Sequence, residues 1–190
     1  ISTDSNGNMM PEAKRYFNSN VLIFDSGFGT FDVFDIQNRV IARYNSFDDL
    51  GMKQILKETT DEIFKTYNVE VSVPAMQKYL TDGKVKHFDR KQRRTQLVSF
   101  DGMLERASNR ICNEAVERTM NLYNNLIDHD YLVITGGTGA AWSEKLRNYF
   151  AGMETLTVIS GNQNENLPHI FSNVRGYFYF LLGKLKKKAE

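Results

Sequence analysis

Residues 21–36, Val-Leu-Ile-Phe-Asp-Ser-Gly-Phe-Gly-Thr-Phe-Asp-Val-Phe-Asp-Ile, constrain this chain more than any other stretch. An apolar run, Val21–Phe24, delivers the carboxylate of Asp25 into a glycine-bearing turn, Ser26–Thr30. Strand-like alternation then resumes through Phe31, Val33, Phe34 and Ile36, with Asp32 and Asp35 among them. The pattern predicts a strand, a tight turn and a second strand. Glycines at the tip remove the Cβ atoms that would hold a ligand off the backbone, so N–H groups of the turn can cradle a phosphate, and Thr30 adds a hydroxyl donor. Asp25, closing the first strand, is placed to hold a hydrated Mg²⁺ beside that phosphate.

Two other readings compete. A tight hairpin carries glycines and Asp for turn geometry alone. A Rossmann-like methyltransferase also opens with a strand and an Asp-x-Gly-x-Gly loop, but there the loop runs into a helix. Here β-branched and aromatic residues follow, then a Gln37-Asn38 turn and a third strand-like segment, Arg39–Tyr44. The periodicity opposes the methyltransferase loop.

A length of 190 residues fits one domain or two small lobes with a real core. Lys+Arg 24 against Asp+Glu 23 is nearly balanced, so net charge suggests no direct DNA binding. The single cysteine, Cys112, excludes an internal disulfide and reads as a buried thiol in a helix, which suits a reducing cytoplasm. No stretch approaches the ~20 apolar residues of a membrane span. The opening Ile1–Asn8 has neither the basic start nor the apolar centre of a signal peptide, and it lacks an initiator Met, as a piece of a longer protein would.

Beyond the strands, Asp48 and Asp49 offer acidic N-caps for a helix whose apolar positions run from Met52 to Tyr67. Residues 73–81 predict a short helix opened by Pro74, and 85–100 a basic segment of two short strands around Asp89-Arg90-Lys91. Asp101 starts the longest helix, with Leu104, Ala107, Ile111, Ala115, Leu122 and Leu126 on one face. A buried strand at 131–135 leads into Gly136-Gly137-Thr138-Gly139, a helix from about 140 to 150, a strand at 156–159, a polar loop and a closing helix over 171–188. This order predicts an α/β fold, a mixed sheet covered by helices, with 48–100 as a small inserted lobe. The second glycine loop lets an adenine or ribose lie against bare backbone, or it serves only a close strand-to-helix crossover. His87, His129 and His169 share no metal-ligand spacing. Trp142 reads as core, and Lys184–Lys188 as a solvated helix end.

Together, the Asp-x-Gly-x-Gly-Thr-x-Asp hairpin and, about a hundred residues later, the strand–Gly-Gly-x-Gly–helix resemble the second phosphate motif and the adenosine motif of the actin, sugar-kinase and heat-shock-chaperone ATPases. Met10-Pro11-Glu12, Leu50-Gly51 and the ending Phe171–Tyr177 are similar to the ParM-type actin-like proteins of Gram-positive plasmids. The resemblance covers residues 9–188 and lacks the family's first phosphate hairpin, so the chain looks like the second half of such a protein.

The resemblance implies an actin-like ATPase fold of the ribonuclease H-like type. In it, 1–17 is a linker, 18–47 and 101–190 form the large subdomain IIA, and 48–100 the small subdomain IIB. It further implies that Asp25 binds Mg²⁺ through water and that Gly27, Phe28, Gly29 and Thr30 donate to the β- and γ-phosphates of ATP or GTP. Asp32 would order the hairpin. Gly136, Gly137, Thr138 and Gly139 would pack on adenosine, with Lys78 or Gln77 reaching the purine. Glu12 would polarise the attacking water. The parent would be a cytoplasmic bacterial filament protein that assembles head to tail and segregates plasmid DNA through a DNA-binding adaptor, without membrane contact. The half alone would be inactive. Half of a sugar- or acetate-kinase-like phosphotransferase, and a non-catalytic assembly surface, remain the rival readings.

Overall fold

The computed structural model describes residues 13–162, 168 and 171–189. Met10, Pro11, Glu12, His169 and most of the polar loop before the closing helix lie outside the described residues.

A short helix, α1 (Ala13–Phe17), precedes β1 (Val21–Ser26), β2 (Phe31–Gln37) and β3 (Val40–Phe47). These strands form an antiparallel meander. Its second turn places Asn38 and Arg39 at φ 51° and 68°, the doubly left-handed geometry that matches the twist of two-residue hairpins. Arg39 is held there by its guanidinium, which donates to Asn18 Oδ1 at 2.7 Å and to the Phe17 carbonyl at 3.3 Å.

Helix α2 (Met52–Tyr67) and helix α3 (Val73–Tyr79) follow, then the ribbon β4 (Lys84–Asp89) and β5 (Arg94–Ser99), and the long α4 (Asp101–Leu122). The chain returns to the sheet as β6 (Tyr131–Thr135), α5 (Gly137–Tyr149), β7 (Thr157–Ser160) and finally α6 (Ser172–Ala189). The main sheet has five strands in the order β3-β2-β1-β6-β7. Its β1–β6 and β6–β7 pairs are parallel, so the expected mixed α/β sheet is what forms.

Alternation along β1 and β6 sorts the side chains onto two faces. Leu22, Phe24, Phe31, Val33, Leu132 and Ile134 pack with α4 and α5 in one core, where Trp142 is buried with its Nε1 donating to Ser108 Oγ at 3.0 Å. Val21 packs with Ala13 and Tyr16 on the other face, joined by Ile23, Tyr131 and Val133. A second core links α2, α3, the ribbon and the start of α4 through Leu56, Ile63, Met76, Val85, Phe100 and Met103. Met52 and Leu104 touch both this core and the first. Burying each large apolar side chain contributes about 1.5–3 kcal/mol. Arg106 and Arg110 of α4 pair with Glu62 and Glu58 of α2, Arg118 pairs with Asp49 just before α2, and Glu114 pairs within α4 with both Arg110 and Arg118. Cys112 is buried, and desolvation pushes its thiol up to about 11, which keeps it protonated and inert.

Three local expectations are corrected. The α4 face does not run on to Leu126: the helix ends at Leu122, which is exposed. Asn124, Asn125 and Leu126 then take positive φ, and this kink, rather than helical spacing, buries Leu126. Asp48 and Asp49 do not cap α2, whose N-cap is Gly51 without a side-chain bond. Helix α5 starts at Gly137 rather than near 140, so the glycine loop supplies its first turn. His129, given no role by its spacing, is buried with Nε2 3.2 Å from Asp35 Oδ1, and Gln37 Nε2 donates to the same carboxylate. Among the described residues no helix is long and apolar enough to cross a membrane.

Candidate nucleotide site

The tip of the β1–β2 hairpin sits on the N-terminus of α2. The Gly27 carbonyl accepts Met52 N–H at 3.2 Å, and the Phe28 carbonyl accepts Lys53 N–H at 2.8 Å. Two donors left over at a helix start are thereby satisfied by the turn, which is why no capping side chain is needed. The fit is tight, because a Cβ on Gly51 would lie 2.7 Å from the Phe28 oxygen and 2.8 Å from the Gly29 carbonyl carbon. Thr138 Oγ1, on α5, donates to the same Gly27 carbonyl at 2.9 Å. One carbonyl thus ties the hairpin to both helices.

This docking orients the amides. No cis peptide bond occurs among the described residues, and in a trans peptide the N–H points opposite to the C=O of the same unit. With the Gly27 and Phe28 carbonyls turned onto α2, the N–H groups of Phe28 and Gly29 are turned away from it. Neither amide has a protein partner among the described residues, whereas Gly27 N–H closes the turn on the Thr30 carbonyl at 2.9 Å. Four donors were expected here; the Gly27 amide is spent inside the turn.

The turn does not require its glycines. Only Gly83 and Gly136 have positive φ among the described glycines. A Cβ on Gly29 would meet nothing within 4 Å, and one on Gly27 would make only an ordinary 3.6 Å contact. Turn geometry therefore does not account for Gly27 or Gly29. What they leave is open space in front of outward-facing amides.

Asp25 and Asp32 stand directly opposite across the hairpin. Asp32 accepts the Thr30 hydroxyl at 2.7 Å and the Tyr44 hydroxyl at 2.9 Å, so it orders the turn, and the Thr30 hydroxyl is committed to it. Asp25 Oδ2 accepts Asn173 Nδ2 at 2.8 Å, and Asn173 Oδ1 accepts Thr135 Oγ1 at 3.0 Å. Burial raises the Asp25 pKa above the usual carboxylate range; the Asn173 hydrogen bond opposes this, and the Asp32 charge adds to it. No Lys or Arg is paired with Asp25 among the described residues. A half-buried carboxylate facing another carboxylate and lacking a cation fits a site built to receive one.

The second glycine loop stands beside the first. Gly136 has φ +82°, and a Cβ there would lie 2.3 Å from the Ser26 carbonyl oxygen and 2.8 Å from Asp25 Oδ1. Its glycine is required by the fold. Gly139 packs on Ile134 and Ser26, and both Thr138 and Gly139 are buried. Of the four residues expected to lie against adenosine, Gly136 and Gly137 reach the surface, while Thr138 and Gly139 build the wall behind them.

Lys78 is exposed on α3, and no hydrogen bond or ion pair among the described residues ties it to either loop. Glu12 lies outside the described residues. Sequence reasoning missed three participants: Asn173 on Asp25, Tyr44 on Asp32, and Ser26, a buried serine whose hydroxyl has no partner beneath the two loops. Asn173 and Asp25 are 148 positions apart, beyond any local pattern. Tyr44 stands opposite Phe34 and reaches Asp32 diagonally, two positions along the partner strand, within the range of a long side chain.

The sequence matches no protein-family model and no curated protein. Solved structures do match. A non-polymerisable ParM mutant from pCBH aligns with a TM-score of 0.68 and 16% identity over 96% of this chain and 51% of its own. A 15-stranded ParM filament from Clostridium botulinum aligns with a TM-score of 0.64 and 18% identity over 88% and 46%. The archaeal actin homologue Ta0583 gives 0.64 and 18% over 90% and 52%. The chain thus spans about half the length of these structures, and its two glycine loops, meander and βαβ unit together have the fold of one half of an actin-like protein of the ParM kind.

Proposed function

We propose that the chain is the nucleotide-binding half of a filament-forming, actin-like ATPase. The observation that carries this reading is the pair of glycines, Gly27 and Gly29, that the fold does not need, set beneath outward-facing amides of Phe28 and Gly29. Those amides and the backbone of Thr30 receive the β- and γ-phosphates of ATP or GTP. Asp25 holds the water shell of Mg²⁺, and bound Mg²⁺ neutralises charge on the phosphates. Gly136 and Gly137 lie against the nucleoside. Asp25 would be the protein carboxylate beside the ion, which would take water and phosphate oxygens as its other ligands. That is the usual way in which Mg²⁺ is held in phosphate sites.

Gly29→Ala tests the reading. Melting is expected to stay within about 2 °C of wild type, because the new methyl meets open space. Affinity for Mg²⁺-ATP or Mg²⁺-GTP, measured by calorimetry, is expected to fall at least about tenfold, the loss of roughly one hydrogen bond to a charged group. Unchanged affinity would return both glycines to the hairpin reading.

The whole protein assembles head to tail, since a heterologous contact that does not close builds a filament. It acts in the bacterial cytoplasm on plasmid DNA through an adaptor at the filament end. The similarity of the chain to ParM structures supports this. Glu12 orients the attacking water, and γ-phosphate clamping draws donors from both walls of the cleft. Phosphate release from the 190-residue chain is therefore expected to be negligible. In the full-length protein Glu12→Ala is expected to slow it by roughly 10²-fold with affinity retained. Robust turnover by the chain alone, or release unaltered by the substitution, would remove this part of the proposal.

A further inference from the structure

The β4–β5 ribbon concentrates charge that the whole-chain balance conceals. Between Lys84 and Arg94 stand six cations, Lys84, Lys86, Arg90, Lys91, Arg93 and Arg94, against the single carboxylate of Asp89. All six are exposed, and among the described residues none has an ion pair or hydrogen bond to its side chain. Of the acids of α2, Glu58 and Glu62 are engaged with arginines of α4, and none, the exposed Asp61 included, pairs with a ribbon cation among the described residues. Asp89 accepts Lys91 N–H at 2.8 Å and Gln92 N–H at 3.1 Å, which fixes the turn from which three of the cations, Arg90, Lys91 and Arg93, project.

The register fixes what the outer face displays. Val85 is buried against α2 and α3, so Lys84, Lys86 and Phe88 face outward, with Ser99, Leu97 and Thr95 opposite them. Phe88 is 56% exposed and Leu97 63%. Alternate residues on a strand are about 6.6 Å apart, so Lys84 and Lys86 form a line that runs through the Phe88 ring to the three cations of the turn, while Arg94, opposite Asp89, stands on the other face.

We propose that this ribbon binds the phosphodiester backbone of nucleic acid without reading its sequence. A linear array of unpaired cations neutralises a linear polyanion and releases its counterions. Phe88 supplies a surface on which an unpaired base can stack. Centres of protein–protein interfaces are depleted in charged residues, and this face has the opposite composition. The inference does not rest on the nucleotide reading, since the ribbon shares no residue with the glycine loops.

Fluorescence anisotropy of the 190-residue chain with labelled duplexes of two unrelated sequences, single-stranded DNA and single-stranded RNA tests it. Both duplexes are expected to bind equally, with log K falling against log salt at a slope of about −4 to −5, as for some five neutralised phosphates. Combining Lys86→Gln, Lys91→Gln and Arg93→Gln is expected to flatten the slope by about 3 and weaken all sequences alike. Phe88→Ala is expected to weaken the single strands about tenfold and spare the duplexes. Circular dichroism melts serve as the folding control, and the RNA and DNA arms decide which nucleic acid is preferred. Three results would overturn the proposal: no binding at low salt, a slope unmoved in a triple variant that melts like wild type, or equal competition by polyglutamate, which would assign the ribbon to an acidic protein.

Discussion

Gly136→Ala is expected to lower the melting temperature by about 10 °C and to abolish nucleotide binding with it. Two costs add. At φ 82° and ψ 161°, a region populated almost only by glycine, an L side chain is strained by about 1–3 kcal/mol. The methyl would also stand 2.3 Å from the Ser26 carbonyl oxygen and 2.7 Å from its carbon. Those atoms belong to the backbone of β1, the central strand, which is held on one side by β2 and on the other by β6. Relief therefore requires the β6–α5 junction to move away from β1, and that movement breaks the Thr138–Gly27 tie and the packing of Gly139. A total of about 3–4 kcal/mol falls in the range reserved for such defects. At ~2–4 °C per kcal/mol for a chain of this size it gives the stated shift. Thermal unfolding followed by circular dichroism checks it. A melt within about 2 °C of wild type would mean that the junction relaxes freely and that the close approach is not obligatory. The contrast with Gly29→Ala, which should leave folding alone, separates glycines kept by the fold from glycines kept by the ligand.

Asp25→Asn is expected to move stability and binding in opposite directions. The folded-state pKa of Asp25 lies above its ordinary value because burial and the facing Asp32 penalise the charge. The folded protein therefore holds this proton more tightly than the unfolded chain. Between the ordinary carboxylate pKa and the raised one, the native state binds more protons, so stability falls as pH rises through that window. Above it, ionised Asp25 is a standing cost. An amide removes the charge, and its Oδ1 can still accept from Asn173 Nδ2. Without metal and nucleotide at neutral pH, the variant is expected to melt a few degrees higher than wild type, with the acid-range dependence due to Asp25 flattened. Mg²⁺-dependent stabilisation by nucleotide is expected to disappear. In wild type this gain is about 2.7 kcal/mol at a hundredfold excess over Kd. Melts across pH, with and without Mg²⁺-ATP or Mg²⁺-GTP, read both effects. A variant that is still stabilised like wild type by Mg²⁺-nucleotide would take Asp25 out of the site. A variant less stable than wild type at neutral pH would show that the carboxylate serves the fold. A site that is costly when empty and stabilised when filled is a common compromise between stability and function.

Local chemistry in the sequence determined the elements. Period-two alternation over 21–47 specified three strands, because a one-residue slip would turn Phe24, Phe31 and Val33 to the wrong face of the sheet. Helical spacing specified α2 and α4, and the glycine runs marked both turns that face the candidate site. Tertiary structure decided what those turns do. The α2 N-terminus takes its hydrogen bonds from the hairpin rather than from Asp48 or Asp49, and this aims the Phe28 and Gly29 amides outward. No window of sequence contains both partners. Asn173 reaches Asp25 from the far end of the chain, and His129 meets Asp35 across the sheet, for the same reason. The glycines look alike in sequence. Only the positions of neighbouring atoms distinguish Gly51 and Gly136, which admit no Cβ, from Gly27 and Gly29, which do. The ribbon's charge was visible as a basic segment, yet whether those cations are neutralised depends on which acids fold beside them. Glu58 and Glu62 of α2 were drawn instead to α4.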